Sequence, residues 1–327
     1  MKQKLNKADE VDKKWEELMG KLCDEAFPAD GKMRLLQSIK DEDINGEMLA
    51  SCAKALMHRA LPLDLKGIDV CGTGGDKTKN NVKTFNISTA VAFVVAAAGV
   101  SVIKHGNRAV SGVSGSSDVL AALKIPIATN AAMAKVQHGK HNLCFVSAPA
   151  FHPALASLAP VRKALGRPTF LNLLGPLCNP ARTARQVIGV YGFQDAVTDA
   201  GKRLGRADMM VVHAEDGLDE ISLSDLTRIL RVKDGKTEEM VICPEDVGLV
   251  TVAMEKLQGG TAEQNAAIIH AIFSGTEGPP ADIVLINAAA AFVTAGKDPD
   301  LTAGVARARD IIGKGLALKK LKDMKTA

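Results

Sequence analysis

Gly72-Thr73-Gly74-Gly75-Asp76 directly follows a short apolar run, Gly67-Ile68-Asp69-Val70-Cys71. Such a run reads as a buried strand, and the glycines after it let the backbone turn sharply and present bare N–H groups, which is how a protein holds phosphate. Beyond a polar loop at 77–83 stand Thr84, Asn86, Ser88 and Thr89, and the apolar run 90–96 starts at once. A helix therefore begins at these residues, and its orphan donors and positive dipole end favour an anion there as well. A tight turn alone uses the same glycines; the order of strand, glycine turn and polar helix start is what points to phosphate.

A second cluster, Lys104-His105-Gly106-Asn107-Arg108, follows the strand-like Ser101-Val102-Ile103 and continues through Ser116 to Asp118. Its cations, amide and hydroxyls on a glycine-rich backbone suit wrapping phosphates, and an ordinary surface loop has no need of so many donors. A third cluster joins His152, which precedes Pro153, with Arg162 and the run Asn172-Leu173-Leu174-Gly175-Pro176-Leu177-Cys178-Asn179-Pro180. The histidine is equally a structural hydrogen-bonding group, and Arg162 equally half of a surface ion pair; spacing does not decide. In the fourth, Glu215-Asp216-Gly217-Leu218-Asp219-Glu220 follows the apolar run Met209-Met210-Val211-Val212-His213. Carboxylates facing a phosphate cradle repel the ligand unless a divalent cation lies between, so magnesium is implied. For Glu215 and Asp216 a solvated acidic turn is the simpler reading.

The elements that must position these groups follow from periodicity. In residues 8–61 apolar side chains recur at three and four: Trp15, Leu18, Met19 and Leu22, then Met33, Leu35, Leu36 and Ile39, then Met48, Leu49, Cys52 and Leu56. That spacing predicts a small helical unit ending before Pro62. From about residue 66 short apolar runs alternate with Ala-rich helical patterns, the runs being 101–103, 143–146, 187–191, 209–213 and 282–286, and the helices 118–123, 131–138 and 195–204. Alternation of this kind predicts an α/β fold with a mainly parallel central sheet, whose ligands gather beyond the carboxyl ends of the strands. Residues 228–241, with Asp234-Gly235 at their centre, predict an antiparallel hairpin. The lysines after Lys314 predict a solvated helix face or tail.

Composition narrows the function. At 46% hydrophobic over 327 residues the chain can bury a large core, one Trp and one Tyr argue against stacking platforms for bases, and a net charge of +4 demands no polyanion. Six scattered cysteines without a CxxC pair read as buried small hydrophobes of a reduced cytoplasmic chain, with neither zinc site nor disulfide frame. Residues 1–7 are basic but have no apolar stretch behind them, so no signal peptide is read there, and the longest apolar runs fall short of the roughly 20 residues that span a membrane.

Taken in order, Gly72-Thr73-Gly74-Gly75-Asp76, Asn86-Ile87-Ser88-Thr89, Lys104-His105-Gly106-Asn107-Arg108, His152-Pro153-Ala154, the run from Asn172 to Pro180 and Asp216-Gly217-Leu218-Asp219-Glu220 resemble the motifs of the anthranilate phosphoribosyltransferases. The resemblance runs from about residue 69 to residue 222. It implies a helical N-terminal domain, residues 1–65, joined by a later segment around 150–180, a catalytic α/β domain over 66–327, and a homodimer with neither nucleic acid nor membrane as partner. It further implies that phosphoribosyl pyrophosphate is held by Gly72, Thr73, Gly74, Gly75, Asp76, Thr84, Asn86, Ser88, Thr89, Lys104, Asn107 and Ser116. Anthranilate would face Gly72, His105, Asn107, His152 and Arg162, while Ser88, Asp219 and Glu220 would manage two Mg2+ ions. Lys104, Asp219 and Glu220 would be the catalytic groups, and the reaction would transfer phosphoribose to the amine of anthranilate in tryptophan biosynthesis. The nearest alternative keeps fold and donor with another aromatic amine; a pyrimidine nucleoside phosphorylase or a non-enzymatic nucleic-acid-binding relative shares the architecture. Departures from the family pattern are the loop 77–83, which is longer, Arg167-Pro168-Thr169, and Leu155 in place of a methionine.

Overall fold

The computed structural model describes residues 7–74, 78, 81–107 and 114–325. Helices α1 (Lys7–Cys23), α2 (Ala29–Ser38) and α3 (Gly46–Met57) open the chain. Their stripes turn inward as the spacing predicts, burying Trp15, Met19, Leu22, Leu36, Met48, Leu49, Cys52 and Leu56. Asn45 starts α3 by accepting the Met48 amide at 3.0 Å, which satisfies one of the orphan donors of the first turn.

The parallel strands β1 (Ile68–Gly72), β2 (Val102–Gly106), β3 (Leu143–Ser147), β4 (Arg185–Gly189) and β5 (Asp208–Ala214) are separated by helices. Between them run α4 (Ile87–Ala97), α5 (Ser116–Ala122), α6 (Ala131–His141), α7 (Ala148–Phe151), α8 (Ala159–Leu165), α9 (Phe170–Leu177) and α10 (Gln194–Arg203). The antiparallel strands β6 (Thr227–Lys233) and β7 (Lys236–Ile242) extend the sheet. They meet at Asp234 and Gly235, both at positive φ (48° and 76°), the backbone that a tight hairpin requires. Helices α11 (Ala262–Phe273), α12 (Pro279–Thr294), α13 (Leu301–Gly313) and α14 (Leu316–Lys325) close the chain. None of the helices in the described residues is long and apolar enough to cross a membrane.

The seven strands lie in the order β3-β2-β1-β4-β5-β6-β7. From β1 the chain goes first to one side, through α4 to β2, and later returns to the other side at β4, so a crevice opens where the order reverses, beyond the carboxyl end of β1. One face of the sheet is covered by α4, α12, α13 and α14, with Phe93, Val94, Ile286 and Phe292 at full burial. On the other face Cys71, Ile188, Met209 and Val211 share a core with α1, α3, α9 and α10. The N-terminal helices are thus stitched to the segment carrying α8 and α9: α2 packs on α8, α3 on α9, and Lys32 Nζ donates to Ser157 Oγ at 2.7 Å.

Two expectations are corrected. Residues 282–286 are the second turn of α12 rather than a strand; α12 is buried on every side from Ile283 to Thr294, so its pattern is a continuous apolar run with no period to betray the helix. Strand β2 does not stop at Ile103 but continues through Gly106, with Lys104 and His105 buried in it rather than exposed on a following loop.

Candidate active site

A cavity of about 520 Å3 opens at the switch point, at the carboxyl ends of β1 and β2 and under the turn that follows β5. Gly72, Thr73, Gly74, Thr84, Asn86, Ser88, Thr89, Lys104, His105, Asn107, Ser116, His152, Arg162, Asp219 and Glu220 all line it. Each of these was singled out from sequence. Gly75, Asp76, Lys77, Lys79, Asn80 and Arg108 lie outside the described residues.

One wall is built for an anion. Gly74 takes φ +64°, where a side chain is strained, and the Thr73 amide donates to Gly189 O at 2.9 Å, tying the glycine turn to β4. Asn86 stands at the N-cap of α4 without a side-chain cap hydrogen bond, whereas Asn45, Asn130, Thr261 and Asp300 cap α3, α6, α11 and α13 through their side chains. The amides of Ile87 and Thr89 are spent on Phe85 O (2.8 Å) and Asn86 O (3.1 Å), so what the start of α4 brings to the cavity is its positive dipole end and the polar side chains of Asn86, Ser88 and Thr89. Lys104 reaches the same place from β2: its Nζ donates to Val70 O at 2.6 Å and to Ser88 Oγ at 3.0 Å. Beneath it lies Asp69, fully buried, accepting from His105 N (3.3 Å), Asn179 Nδ2 (2.9 Å) and Gln186 Nε2 (3.3 Å). Burial raises the Asp69 pKa, against the pull of the Lys104 ammonium.

The opposite wall is aromatic and cationic. His105 and His152 meet edge to face with ring centroids 5.2 Å apart, and His152 Nε2 donates to Cys178 O at 2.8 Å. Burial lowers both imidazoles, His105 to about 3 with the neighbouring His152 and Lys104 acting the same way and a hydrogen bond to the Gly175 backbone opposing them. Both rings are therefore neutral near pH 7. His105 Nε2 and His152 Nδ1 are buried without a partner, and a neutral ring that donates through one nitrogen accepts at the other. Arg162, in the last turn of α8, donates through Nη2 to Asn172 Oδ1 at 3.2 Å; that oxygen also takes the Thr169 amide at 3.1 Å, so α9 aims the guanidinium. Burial pushes the Arg162 pKa below its ordinary value, and the group stays charged regardless.

Asp219 and Glu220 face the glycine turn, and Asp219 Oδ2 accepts the Gly74 amide at 2.8 Å. Any Cβ at Gly72 would fall on that carboxylate, so the glycine is a cradle for it. Among the described residues no three of His, Cys, Asp and Glu converge as a self-sufficient metal cage. Asp219, Glu220 and Ser88 line the same cavity and carry only oxygen donors. That suits a hard cation which draws its remaining ligands from water and phosphate, as Mg2+ does. Asp216 corrects the solvated reading: it is buried, accepts the Leu218 amide at 3.0 Å and takes the hydroxyls of Ser222 and Ser224, so it pins the turn from within. Glu215 is exposed as expected.

The glycosyl transferase family a/b domain matches residues 65–318. The anthranilate phosphoribosyltransferase of Clostridium kluyveri is 45% identical over 284 residues, 84% of this chain and 83% of that one. The chain belongs to the anthranilate phosphoribosyltransferase family. The crystal structure of the Thermus thermophilus anthranilate phosphoribosyltransferase matches with a TM-score of 0.87 at 35% identity, covering 99% of this chain and 96% of that one. That of Saccharomyces cerevisiae, solved in complex with PRPP and Mg, has the same fold at 24% identity, with a TM-score of 0.83 over 98% and 94% of the two chains.

Two residues of this anthranilate phosphoribosyltransferase family member escaped the sequence reading. Asn287 of α12 accepts the Ile221 amide at 2.8 Å and donates to Ile221 O at 2.9 Å, clamping the backbone next to Glu220. Asn265 of α11 lines the cavity and bonds Asn86 at 3.0 Å. Both belong to helices far along the chain; Asn287 gave the signal of a polar residue in an apolar helical run, and Asn265, next to Glu263 and Gln264, gave none.

Proposed function

We propose that the chain transfers the 5-phosphoribosyl group of phosphoribosyl pyrophosphate to the amine of anthranilate, releasing pyrophosphate, as the first use of anthranilate in tryptophan biosynthesis. The observation that carries this reading is that one cavity is lined both by the glycine turn Gly72 to Gly74 with the polar start of α4 and by Arg162 with two neutral histidines. Phosphates belong to the first wall. The planar fork of Arg162 suits a carboxylate, and the acceptor nitrogens of His105 and His152 suit an aromatic amine.

An aromatic amine is already unprotonated near neutral pH, so displacement at the ribose carbon depends on holding the departing negative charge rather than on a strong base. Lys104 brings a cation to the phosphate wall, and the glycine amides supply further donors. Asp219 and Glu220, with Ser88, would hold two Mg2+, which when bound supply charge neutralisation at the pyrophosphate. Asn107 and Ser116 line the cavity and would bind the donor, with Asn107 also facing the acceptor in this reading. Residues 1–65 with the segment around 150–180 form the acceptor half in this reading and 66–327 the donor half, and the working form is a cytoplasmic homodimer, a point that sedimentation decides.

The test is turnover of the purified protein with anthranilate, phosphoribosyl pyrophosphate and Mg2+. Anthranilate should disappear and pyrophosphate appear in equal amounts, and no phosphorolysis of thymidine or uridine should occur. A ring-substituted analogue preferred over anthranilate by orders of magnitude would overturn the acceptor, and nucleoside phosphorolysis would overturn the reaction.

A further inference from the structure

Two carboxamides and two backbone groups beside the cavity form a chain of three hydrogen bonds with one direction. The Gly260 amide donates to Asn265 Oδ1 at 2.7 Å, Asn265 Nδ2 donates to Asn86 Oδ1 at 3.0 Å, and Asn86 Nδ2 donates to Ser114 O at 3.4 Å. A backbone N–H can only donate and a backbone carbonyl can only accept, so the two ends of the chain fix the orientation of both side chains between them. Asn86 therefore commits its acceptor atom to Asn265 and its NH2 group to the side of Ser114, and both Asn86 and Ser114 line the cavity.

We propose that Asn265 is a positioning residue for the donor site: it dictates that Asn86 offers an anion its N–H hydrogens rather than its carbonyl oxygen. The proposal rests on the reading of this wall as the phosphate wall. With the Asn86 amide reversed, a lone pair would face the phosphate and repel it. Asn265 is well placed for the task, being only 2% exposed and held in the opening turns of α11, whose start is locked by a reciprocal pair between Thr261 and Gln264. The segment before it is held as well. Gly259 donates to Lys83 O at 2.7 Å and Gln258 bridges Thr84, so the chain on both sides of the Asn265–Asn86 contact is tied together.

Asn265→Asp tests this with little change of shape. An aspartate still accepts the Gly260 amide but has no hydrogen for Asn86 Oδ1, so the Asn86 amide turns round. The KM for phosphoribosyl pyrophosphate should rise about tenfold or more, the scale of one hydrogen bond to a charged group, while the KM for anthranilate changes less than about twofold. In an Asn86→Ala background the same change should raise the donor KM by much less, only by the repulsion between the new carboxylate and the phosphate, because there is no carboxamide left to orient. Equal rises in both KM values, or a full additional loss in the Asn86→Ala background, would reduce Asn265 to a structural residue and overturn the proposal. A measurement on the unmodified chain guards against a variant that fails to fold. The side-chain NH2 resonances of Asn86, assigned by their loss in Asn86→Ala, should shift on adding Mg2+ and pyrophosphate, and resonances that stay put overturn the proposal. Absence of turnover by the unmodified chain would sink the reading of the site; turnover with a donor KM indifferent to Asn265→Asp would sink the role of Asn265 alone.

Discussion

Asp219 Oδ2 accepts the backbone amide of Gly74 at 2.8 Å, joining residues 145 positions apart. The contact spans β4, which lies between β1 and β5, and it exists because glycines clear the way: a Cβ at Gly72 would strike the Asp219 carboxylate and one at Gly189 the Asp219 backbone carbonyl. The carboxylate thus occupies an amide of the glycine turn. An arriving pyrophosphate must displace it or share it through a cation.

The two glycines should behave differently when enlarged. At Gly72 the obstacle is the tip of a side chain, which can swing away, so Gly72→Ala should keep its melting temperature while losing about a hundredfold in kcat/KM through the misplaced carboxylate. At Gly189 the obstacle is backbone, so Gly189→Ala should lose about 1–3 kcal/mol of stability. Thermal melts and steady-state kinetics on the pair read both outcomes; similar melting temperatures for the two variants would contradict this packing.

Replacing Asp219 by Asn keeps an oxygen for the Gly74 amide and removes the charge. We expect kcat to fall about a hundredfold or more, with half-maximal activity shifted to higher Mg2+, and Glu220→Gln to move in the same direction. A magnesium titration of each variant measures it. Near-normal rates at low Mg2+ would remove the carboxylates from metal binding.

Arg162 is aimed by Asn172, so Arg162→Ala should raise the anthranilate KM about tenfold to a hundredfold and leave the donor KM nearly unchanged. Arg162→Lys should recover little, since an ammonium cannot pair both carboxylate oxygens. Equal effects on both KM values would refute the assignment.

His105 provides the pH signature. Its folded pKa is about 3 against 6.5 for an ordinary histidine, so between those values the unfolded chain binds a proton that the folded chain refuses. Stability therefore falls as pH drops from 6.5 towards 3, and His152, also lowered by burial, adds to the same slope. Asp69, raised by burial, contributes with opposite sign as pH climbs above 3.8. His105→Gln should flatten the acid limb of a melting-temperature profile; an unchanged slope would mean that the ring is charged or exposed.

Local signals made most of this site legible. The glycine turn, the polar start of α4 and the acidic turn after β5 are each contiguous in sequence, and the parallel sheet places them on one edge. What stayed hidden was long-range. The burial of Lys104 and His105 inside β2 contradicts their polarity, and is made tolerable by Asp69, Asn179 and Ser88, which come from three other stretches of the chain. Asp216 is buried because Ser222 and Ser224 fold back on it, and α12 passed for a strand because no side of it meets water.

Asp219 and Glu220 would hold the cation and the glycine turn the pyrophosphate, and diffraction from crystals grown with phosphoribosyl pyrophosphate and Mn2+ in place of Mg2+ decides it. Anomalous density should lie in ligand contact with Asp219 or Glu220, with phosphate oxygens against Gly72 to Gly74 and the first turn of α4. Metal and pyrophosphate bound elsewhere, with Asp219 still on the Gly74 amide, would contradict it.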